Sequence, residues 1–208
     1  MRRITPILIL SLSVLALGFG AGDVICALGP SAASYKPASN ERPAGDVMQL
    51  ANRVNMAVKP FCLPHCPSVA IFRNATAPNA MLVVENGDAK IVYSPQFFTA
   101  AYDKFGQGAI LAVLAHEYGH AMGETTPAAW IKPAWSQALR ADAWAGCALA
   151  KMDLTPAELA EGLKAVSSYA APSHPAWAVR LPVWRAGYAQ CGGDGAKFDS
   201  AAAGSKGK

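Results

Sequence analysis

One stretch of the sequence places two histidines and a glutamate at a spacing that suits metal chemistry. It reads His116-Glu117-x-x-His120 and follows the apolar run 109–115. On an α-helix, side chains four residues apart lie on one face, one turn apart. Two neutral imidazoles held in this way can bind one zinc ion, and Glu117 beside them can accept a proton from water on the metal. The apolar run predicts that this helix is buried, as a rigid site requires.

The motif by itself does not complete a catalytic zinc site, which usually has three protein ligands and one open position. The chain contains two further histidines, His65 and His174. In the metzincin pattern a third histidine follows the motif by a fixed spacing, but position 126 of this chain is Thr126. That residue disfavours the metzincin branch, so the third ligand has to come from elsewhere in the chain.

The elements around the motif alternate in a way that predicts an α+β fold. Three short strands, 68–73, 80–85 and 88–93, precede the site helix, and Asn86-Gly87 is a strong signal for a type I′ hairpin turn. We therefore predict a small antiparallel sheet packed on several helices. The predicted helices span about 47–58 (ending before Pro60), 95–105, 107–122, 132–152, 155–169 and a last helix from Ser173-His174-Pro175 that Pro182 should kink.

The two ends of the chain differ in composition from its middle. Residues 1–27 have two arginines, an apolar run and then small residues, which is typical of a secretory signal peptide. The alternative is an uncleaved membrane anchor, for which the apolar run is short. Residues 28–44 are predicted to be a linker, 45–191 the folded domain and 192–208 a disordered tail.

The cysteine count supports export. Of five cysteines, four remain after removal of the signal peptide, an even number suited to disulfides in an oxidising compartment. Cys62 and Cys66 would form a short local staple, and Cys147 with Cys191 would tie a mid-chain helix to the end of the fold. A zinc site of His65 with Cys62 and Cys66 is the alternative, but it lacks a second ligand pair nearby. The protein is thus predicted to be periplasmic or secreted, without a stable membrane anchor once the signal is cleaved.

The charge distribution limits the partners. The net charge is +4 over 208 residues, only 15% of residues are charged, and no basic cluster is present. These values argue against nucleic acid as the main partner. A peptide or protein substrate agrees better with the motif.

The segment 115–121 resembles the motif of the gluzincin zinc metallopeptidases, in particular the CAAX-prenyl-protease and HtpX-like group and the neutral zinc metallopeptidases. The resemblance spans about residues 45 to 191 in a consistent order. Its further parts are Asn79-Ala80 before the hairpin, the segment 139–146, Ser173-His174-Pro175, Arg180, Gly187 and Tyr188.

The resemblance implies a zincin-like metallopeptidase domain with Zn²⁺ bound by His116, His120 and a third ligand. In the family this third ligand is a glutamate four residues before Asp142, where the chain has Ala138. Three replacements remain open: Asp142 one turn later, Glu124 one turn past the motif, or water. We rank Asp142 first as a ligand. By resemblance it would otherwise hydrogen-bond a ligand histidine and fix its tautomer.

The resemblance also implies a function and a catalytic role for two residues. The chain would be an exported zinc-dependent endopeptidase, with Glu117 as general base and His174 supporting the oxyanion. One of the strands 80–85 and 88–93 would be the sheet edge on which the peptide adds as an extra strand. For Arg180 we expect a structural ion pair or hydrogen bond.

Two readings from other classes stand beside the enzyme. Ala138 favours a pseudo-protease that uses the same fold as a periplasmic binding or scaffold module. The intact set of His116, Glu117 and His120 opposes it, because a purely structural helix does not need this glutamate between two histidines. A membrane-anchored quality-control factor is the third reading, and it requires that residues 1–27 stay attached.

Overall fold

The computed structural model describes residues 23–24, 34–126, 128–169 and 174–204. Within these ranges seven α-helices and a small mixed sheet form an α+β architecture, which confirms the α+β part of the predicted fold class. The strands are β1 (Asp23–Val24), β2 (Val69–Arg73), β3 (Ala80–Glu85) and β4 (Asp88–Tyr93). The helices are α1 (Gly45–Cys62), α2 (Pro95–Phe105), α3 (Gln107–Thr125), α4 (Gln137–Lys151), α5 (Pro156–Ser168), α6 (Trp177–Gln190) and α7 (Gly195–Ala203).

The sheet has the order β1-β3-β4-β2. The β3–β4 hairpin is antiparallel, and its turn has φ of 54° at Asn86 and 86° at Gly87, as the Asn-Gly signal predicts. β2 pairs with β4 in the parallel direction, so the predicted all-antiparallel sheet is wrong. The connection after β2 crosses the end of β4, where the Asn74 amide donates to the Tyr93 carbonyl at 2.8 Å. β4 is therefore inserted between β2 and β3.

This strand order decides which of the two predicted edge strands can be an edge. β4 pairs along its whole length on both sides, so it is not available for an added strand. β3 lies on the outer side of the hairpin, where the two residues of β1 pair with Val83 and Val84. The rest of that side of β3, residues 80–82, has no strand partner among the described residues.

The sheet is covered on both faces. Leu82 and Ile91 face the helices and belong to the main core, whereas Met81 and Val92 form a smaller cluster on the opposite face that Tyr35 covers. The segment 34–44, which the sequence predicted as linker, therefore lies against the sheet.

Two contacts hold that segment in place. The side-chain amide of the buried Asn74 donates to the carbonyl oxygen of Lys36 and to the side-chain oxygen of Asn40. Glu41 and Arg73 exchange a pair of backbone hydrogen bonds. The linker prediction missed these contacts because composition does not register long-range pairing.

Helix α3 lies at the centre of the helical layer, and every residue from 108 to 122 is buried. The neighbouring helices approach its backbone closely. A Cβ at Gly119 would lie 2.3 Å from the carbonyl oxygen of Ala141 in α4, and one at Gly108 would lie 2.0 Å from the carbonyl oxygen of Glu158 in α5. Glycine at these positions lets α4 and α5 pack directly against α3, and the first contact brings α4 beside the histidine motif.

Several predicted boundaries need correction. α1 continues through Pro60 because Cys62 in its last turn is buried in the core. α4 begins at residue 137, five residues later than predicted, since the Ser136 hydroxyl accepts from the Leu139 amide and caps the helix there. α5 starts with the predicted capping box of Thr155 and Glu158. α6 begins at residue 177 and runs through Pro182.

The tail predicted as disordered contains a helix. In α7 the Asp194 carboxylate caps the first turn by accepting from the Ala196 and Lys197 amides, and Phe198 is fully buried. The sequence of this segment is rich in glycine and alanine, so its composition did not indicate that Phe198 anchors a helix there. The described part of the chain ends at residue 204.

Both predicted disulfides, Cys62–Cys66 and Cys147–Cys191, are confirmed. The first excludes the alternative zinc site at Cys62, His65 and Cys66, because neither sulfur is available as a thiolate. No helix in the described part of the chain has the length and apolar character needed to cross a bilayer. Apart from residues 23–24, the predicted signal peptide lies outside the described residues.

Candidate metal centre

Three histidine rings meet at one point of the structure. His116 and His120 project from the same face of α3, as their spacing predicts, and His174 approaches from the segment before α6. The Nε2 atom of His116 lies 3.2 Å from that of His120 and 2.9 Å from that of His174. One nitrogen from each of the three rings lies within 4.8 Å of the other two. Three side chains from two separate elements could thus bind one metal ion.

The rings are shielded from water. His116 is 0% exposed and His120 3% exposed, while His174 is partly buried. Burial lowers the pKa of His116 and His120, and it lowers the pKa of His174 to about 3, with help from the neighbouring His116. All three imidazoles are therefore held neutral, which is the form that binds a metal. The Trp184 indole lies nearly parallel to the His116 ring, with 6.3 Å between the two ring centroids.

Asp142 lies on the opposite side of His116 from this cluster. Its Oδ1 is 2.9 Å from Nδ1 of His116, and its two oxygens accept hydrogen bonds of 2.7 and 2.8 Å from Arg180. Burial alone raises the pKa of Asp142, but the hydrogen bonds from Arg180 and His116 outweigh it and lower the pKa to about 2. Asp142 is therefore an anion that accepts from Nδ1 of His116 and leaves Nε2 for the cluster.

This geometry departs from the sequence-based ranking of Asp142 as the third metal ligand. The Asp142 carboxylate accepts hydrogen bonds from Arg180 and contacts Nδ1 of His116, the ring nitrogen on the other side from Nε2. It therefore does not face the position where the three Nε2 atoms meet. The structure agrees with the other role named for it, that of orienting a ligand histidine. Glu124, another open alternative, is exposed and accepts from the Gln137 side chain at 2.9 Å.

Glu117 has a different environment, although it is also 0% exposed. No side chain of the described residues donates a hydrogen bond to its carboxylate oxygens. Burial raises its pKa to about 8, and the Leu82 backbone on β3 and the Arg180 charge offset only part of this effect. A buried carboxyl group without a side-chain partner is the kind of group that can exchange a proton with a bound water.

The position of His174 was missed from the sequence. It was expected to support an oxyanion, and the structure instead brings it to the Nε2 atoms of the motif. The structural ion pair expected for Arg180 is present, and its partner is Asp142, the carboxylate that contacts His116. The sequence did contain a signal for His174. The chain has only four histidines, and the family resemblance already included His174 together with the two histidines of the motif.

Comparison with known proteins adds no assignment. No protein family, no curated protein and no solved structure matches this chain. The functional argument therefore depends on the residues and their geometry.

Proposed function

We propose that this protein is an exported zinc-dependent endopeptidase whose metal ligands are His116, His120 and His174 and whose general base is Glu117. The observation that carries the proposal is the convergence of three Nε2 atoms beside a buried glutamate of the His-Glu-x-x-His motif. Three neutral nitrogen ligands leave one position of a tetrahedral zinc ion open, as hydrolytic zinc sites require.

The residues present fit a zinc ion. With Zn–N bonds of 2.0–2.1 Å, two nitrogens on a tetrahedral zinc are about 3.4 Å apart. The Nε2 separations at His116 are 3.2 Å to His120 and 2.9 Å to His174, and all three ligand nitrogens lie within 4.8 Å of one another, so small ring movements would bring them to that spacing. The Asp142 carboxylate on Nδ1 of His116 is the usual partner of a metal-binding histidine. Glu117 supplies the buried carboxylate oxygens without side-chain partners that an attacking water would bind.

The chemistry divides between the metal and the chain. His116, His120 and His174 would hold the zinc ion, which would supply Lewis-acid chemistry for water activation and carbonyl polarisation. Glu117 is neutral at pH 7 in the metal-free protein because its pKa is raised to about 8, but a cation bound beside it would favour its ionised form. In that form Glu117 would accept the proton of the attacking water and transfer it to the leaving amine. Asp142 and Arg180 keep His116 in one tautomer throughout. The Leu82 backbone on β3 contacts Glu117, so this strand lies beside the site. Residues 80–82 of β3 are at most 1% exposed, and this edge therefore does not present its backbone groups for the predicted addition of a substrate strand.

His174 also bears on the pseudo-protease alternative. That reading rests on Ala138, which cannot replace the glutamate ligand of the family that the chain resembles. A histidine from the segment before α6 restores three ligands without any residue at position 138. With this ligand the enzyme reading is favoured over a pure scaffold, whose function would not need three converging neutral imidazoles.

The export part of the proposal has separate support. It rests on the signal-like pattern of residues 1–27 and on two disulfides, which persist in oxidising compartments. Intact-mass analysis of the protein recovered from outside the cytoplasm tests it. A mass that lacks about the first 27 residues supports signal cleavage, and the full mass supports a retained segment.

The hydrolytic part is tested with an unfolded casein substrate. The purified protein should release peptides, lose this activity with a chelator and regain it with added zinc. His174→Ala should remove the activity, whereas His65→Ala should not, because His65 is an exposed histidine outside the cluster. Full activity of His174→Ala would contradict its role as ligand, and hydrolysis that resists chelation would contradict the metal mechanism.

A further inference from the structure

Arg180 stands out among the charged residues because it is buried and far from bulk water. It is 2% exposed, and its guanidinium makes two parallel hydrogen bonds to Asp142, from Nε to Oδ2 at 2.8 Å and from Nη2 to Oδ1 at 2.7 Å. The same Oδ1 atom lies 2.9 Å from Nδ1 of His116. A fork-to-fork pair fixes the plane of the carboxylate as well as its position.

The fixed carboxylate has a direct consequence for the metal centre. With Asp142 held as an anion, the Nδ1 atom of His116 must carry the proton, so its Nε2 lone pair points into the histidine cluster. If the carboxylate could rotate, the His116 ring could follow it.

Arg180 also joins the two elements that position the ligands. Asp142 is on α4, which packs on the motif helix α3, and Arg180 is on α6, six residues after His174. The backbones of α4 and α6 are in close contact: a Cβ at Gly187 would lie 1.9 Å from the carbonyl oxygen of Ala143. The ion pair therefore fixes the start of α6, and with it His174, relative to His116.

We propose that Arg180 is a positioning residue of the metal centre, acting through Asp142 on His116 and through α6 on His174. This inference rests on the proposed function, because it needs the three histidines to bind a metal. It assigns to Arg180 a role in metal affinity and ligand geometry beyond the ion pair itself. Conserving the charge without the fork should preserve only part of that role, because lysine offers a point charge where arginine offers two parallel donors.

The same helix supplies a matched control. Arg185 on α6 makes a two-point pair with Asp199 on α7, at 2.7 and 2.8 Å, in the same geometry as the Arg180 pair. Its side chain is 47% exposed and that of Asp199 is 53% exposed. Replacing Arg185 removes the same charge and the same kind of two-point pair from helix α6 without touching the histidines.

The test measures metal binding by the full-length protein, with cobalt(II) as a spectroscopic probe and zinc as a competitor. Arg180→Met should weaken binding about 10- to 100-fold. It should also shift the visible cobalt absorption, since ligand orientation changes. Arg180→Lys should fall between wild type and Arg180→Met, and Arg185→Met should match wild type in both affinity and spectrum.

Arg180→Met leaves the Asp142 carboxylate buried with one partner fewer, so folding is checked by circular dichroism and thermal melting. The double variant Asp142→Asn, Arg180→Met removes both charges and keeps the test valid if the single variant does not fold. Because Arg180 acts through Asp142, the effects of the two substitutions should not add. The double variant should therefore bind cobalt no more weakly than the folded single variant with the lower cobalt affinity.

The possible failures are distinguishable. If wild type binds neither cobalt nor zinc, the metal centre fails and this inference fails with it. If wild type binds cobalt, and Arg180→Lys and the double variant match its affinity and spectrum, the inference alone is overturned. An equal loss in Arg185→Met would show a general effect of α6 and would also overturn it.

Discussion

Two buried carboxylates near the histidine cluster, Asp142 and Glu117, have sharply different environments. Asp142, between α4 and α6, has Arg180 and His116 as partners, and these hold its pKa at about 2. Glu117, facing β3, is equally buried but has no side-chain donor among the described residues, and burial raises its pKa to about 8. Both are 0% exposed, so burial alone does not set the direction of the shift.

The comparison shows how one site can assign two roles to the same chemical group. A carboxylate with strong partners remains an anion and orients what it touches. A carboxyl group without partners can accept and release a proton. The four predictions below test this division, and they run from the largest expected effect to the smallest.

Glu117→Gln should abolish most hydrolysis and leave the metal in place. The amide has the shape of the acid but cannot accept the proton of the attacking water, so the rate should fall about 10²- to 10⁴-fold. Peptide release from casein and zinc content by elemental analysis measure the two quantities together. Wild-type activity in this variant would rule out Glu117 as the general base.

Asp142→Asn should destabilise the metal-free protein by about 3–5 kcal/mol, because it leaves the buried Arg180 guanidinium without its counter-charge. Urea denaturation monitored by tryptophan fluorescence measures the loss at pH 7. The double variant Asp142→Asn, Arg180→Met is the control and should recover part of it. A loss below about 1 kcal/mol is typical of exposed ion pairs and would contradict a strong buried pair between Asp142 and Arg180.

The stability of metal-free Glu117→Gln relative to wild type should depend on pH. Below pH 4.5 the Glu117 carboxyl is protonated in both the folded and the unfolded state, so its titration does not affect folding. Between pH 4.5 and about 8, its raised pKa keeps it neutral in the folded protein while the unfolded chain ionises, so wild type loses stability as pH rises. Glutamine does not titrate.

The variant should therefore gain on wild type by roughly 1–3 kcal/mol between pH 5 and pH 8, less than the full shift would give because buried sites relax. Urea midpoints at the two pH values give this difference. A constant difference between the two proteins across this range would show that Glu117 keeps an ordinary pKa, and the contrast with Asp142 would disappear.

Glu124→Ala should have the smallest effect. Its carboxylate is exposed and accepts a hydrogen bond from the Gln137 side chain, so the free energy of unfolding should change by less than about 0.5 kcal/mol. Zinc affinity should also be unchanged. Weaker zinc binding in this variant would return Glu124 to the list of ligands and contradict the assignment of His174.

Local sequence signals predicted the elements whose boundaries are set within a few residues. The Asn86-Gly87 turn, the Thr155–Glu158 capping box and the α2 helix agree with the structure because each depends on neighbours in the chain. The insertion of β4 between β2 and β3 was not predictable in this way, since strand order depends on pairing between distant segments.

The same distinction holds at the site. His116, Glu117 and His120 are recognisable because a helix fixes their relation over four residues. The meeting of His174 with them, and the contact of Arg180 with Asp142, span 58 and 38 residues of sequence. They depend on how α4 packs on α3 and how α6 packs on α4, which spacing alone does not determine.

The most direct test of the account is the zinc affinity of wild type and His174→Ala, measured by competition with a chromophoric chelator after the metal has been stripped. We expect one tightly bound zinc per wild-type chain and binding at least about 100-fold weaker in the variant, because one of three protein ligands is lost. Absence of zinc binding in wild type would contradict the metal centre. Equal affinity in the two proteins would show that His174 is not its third ligand.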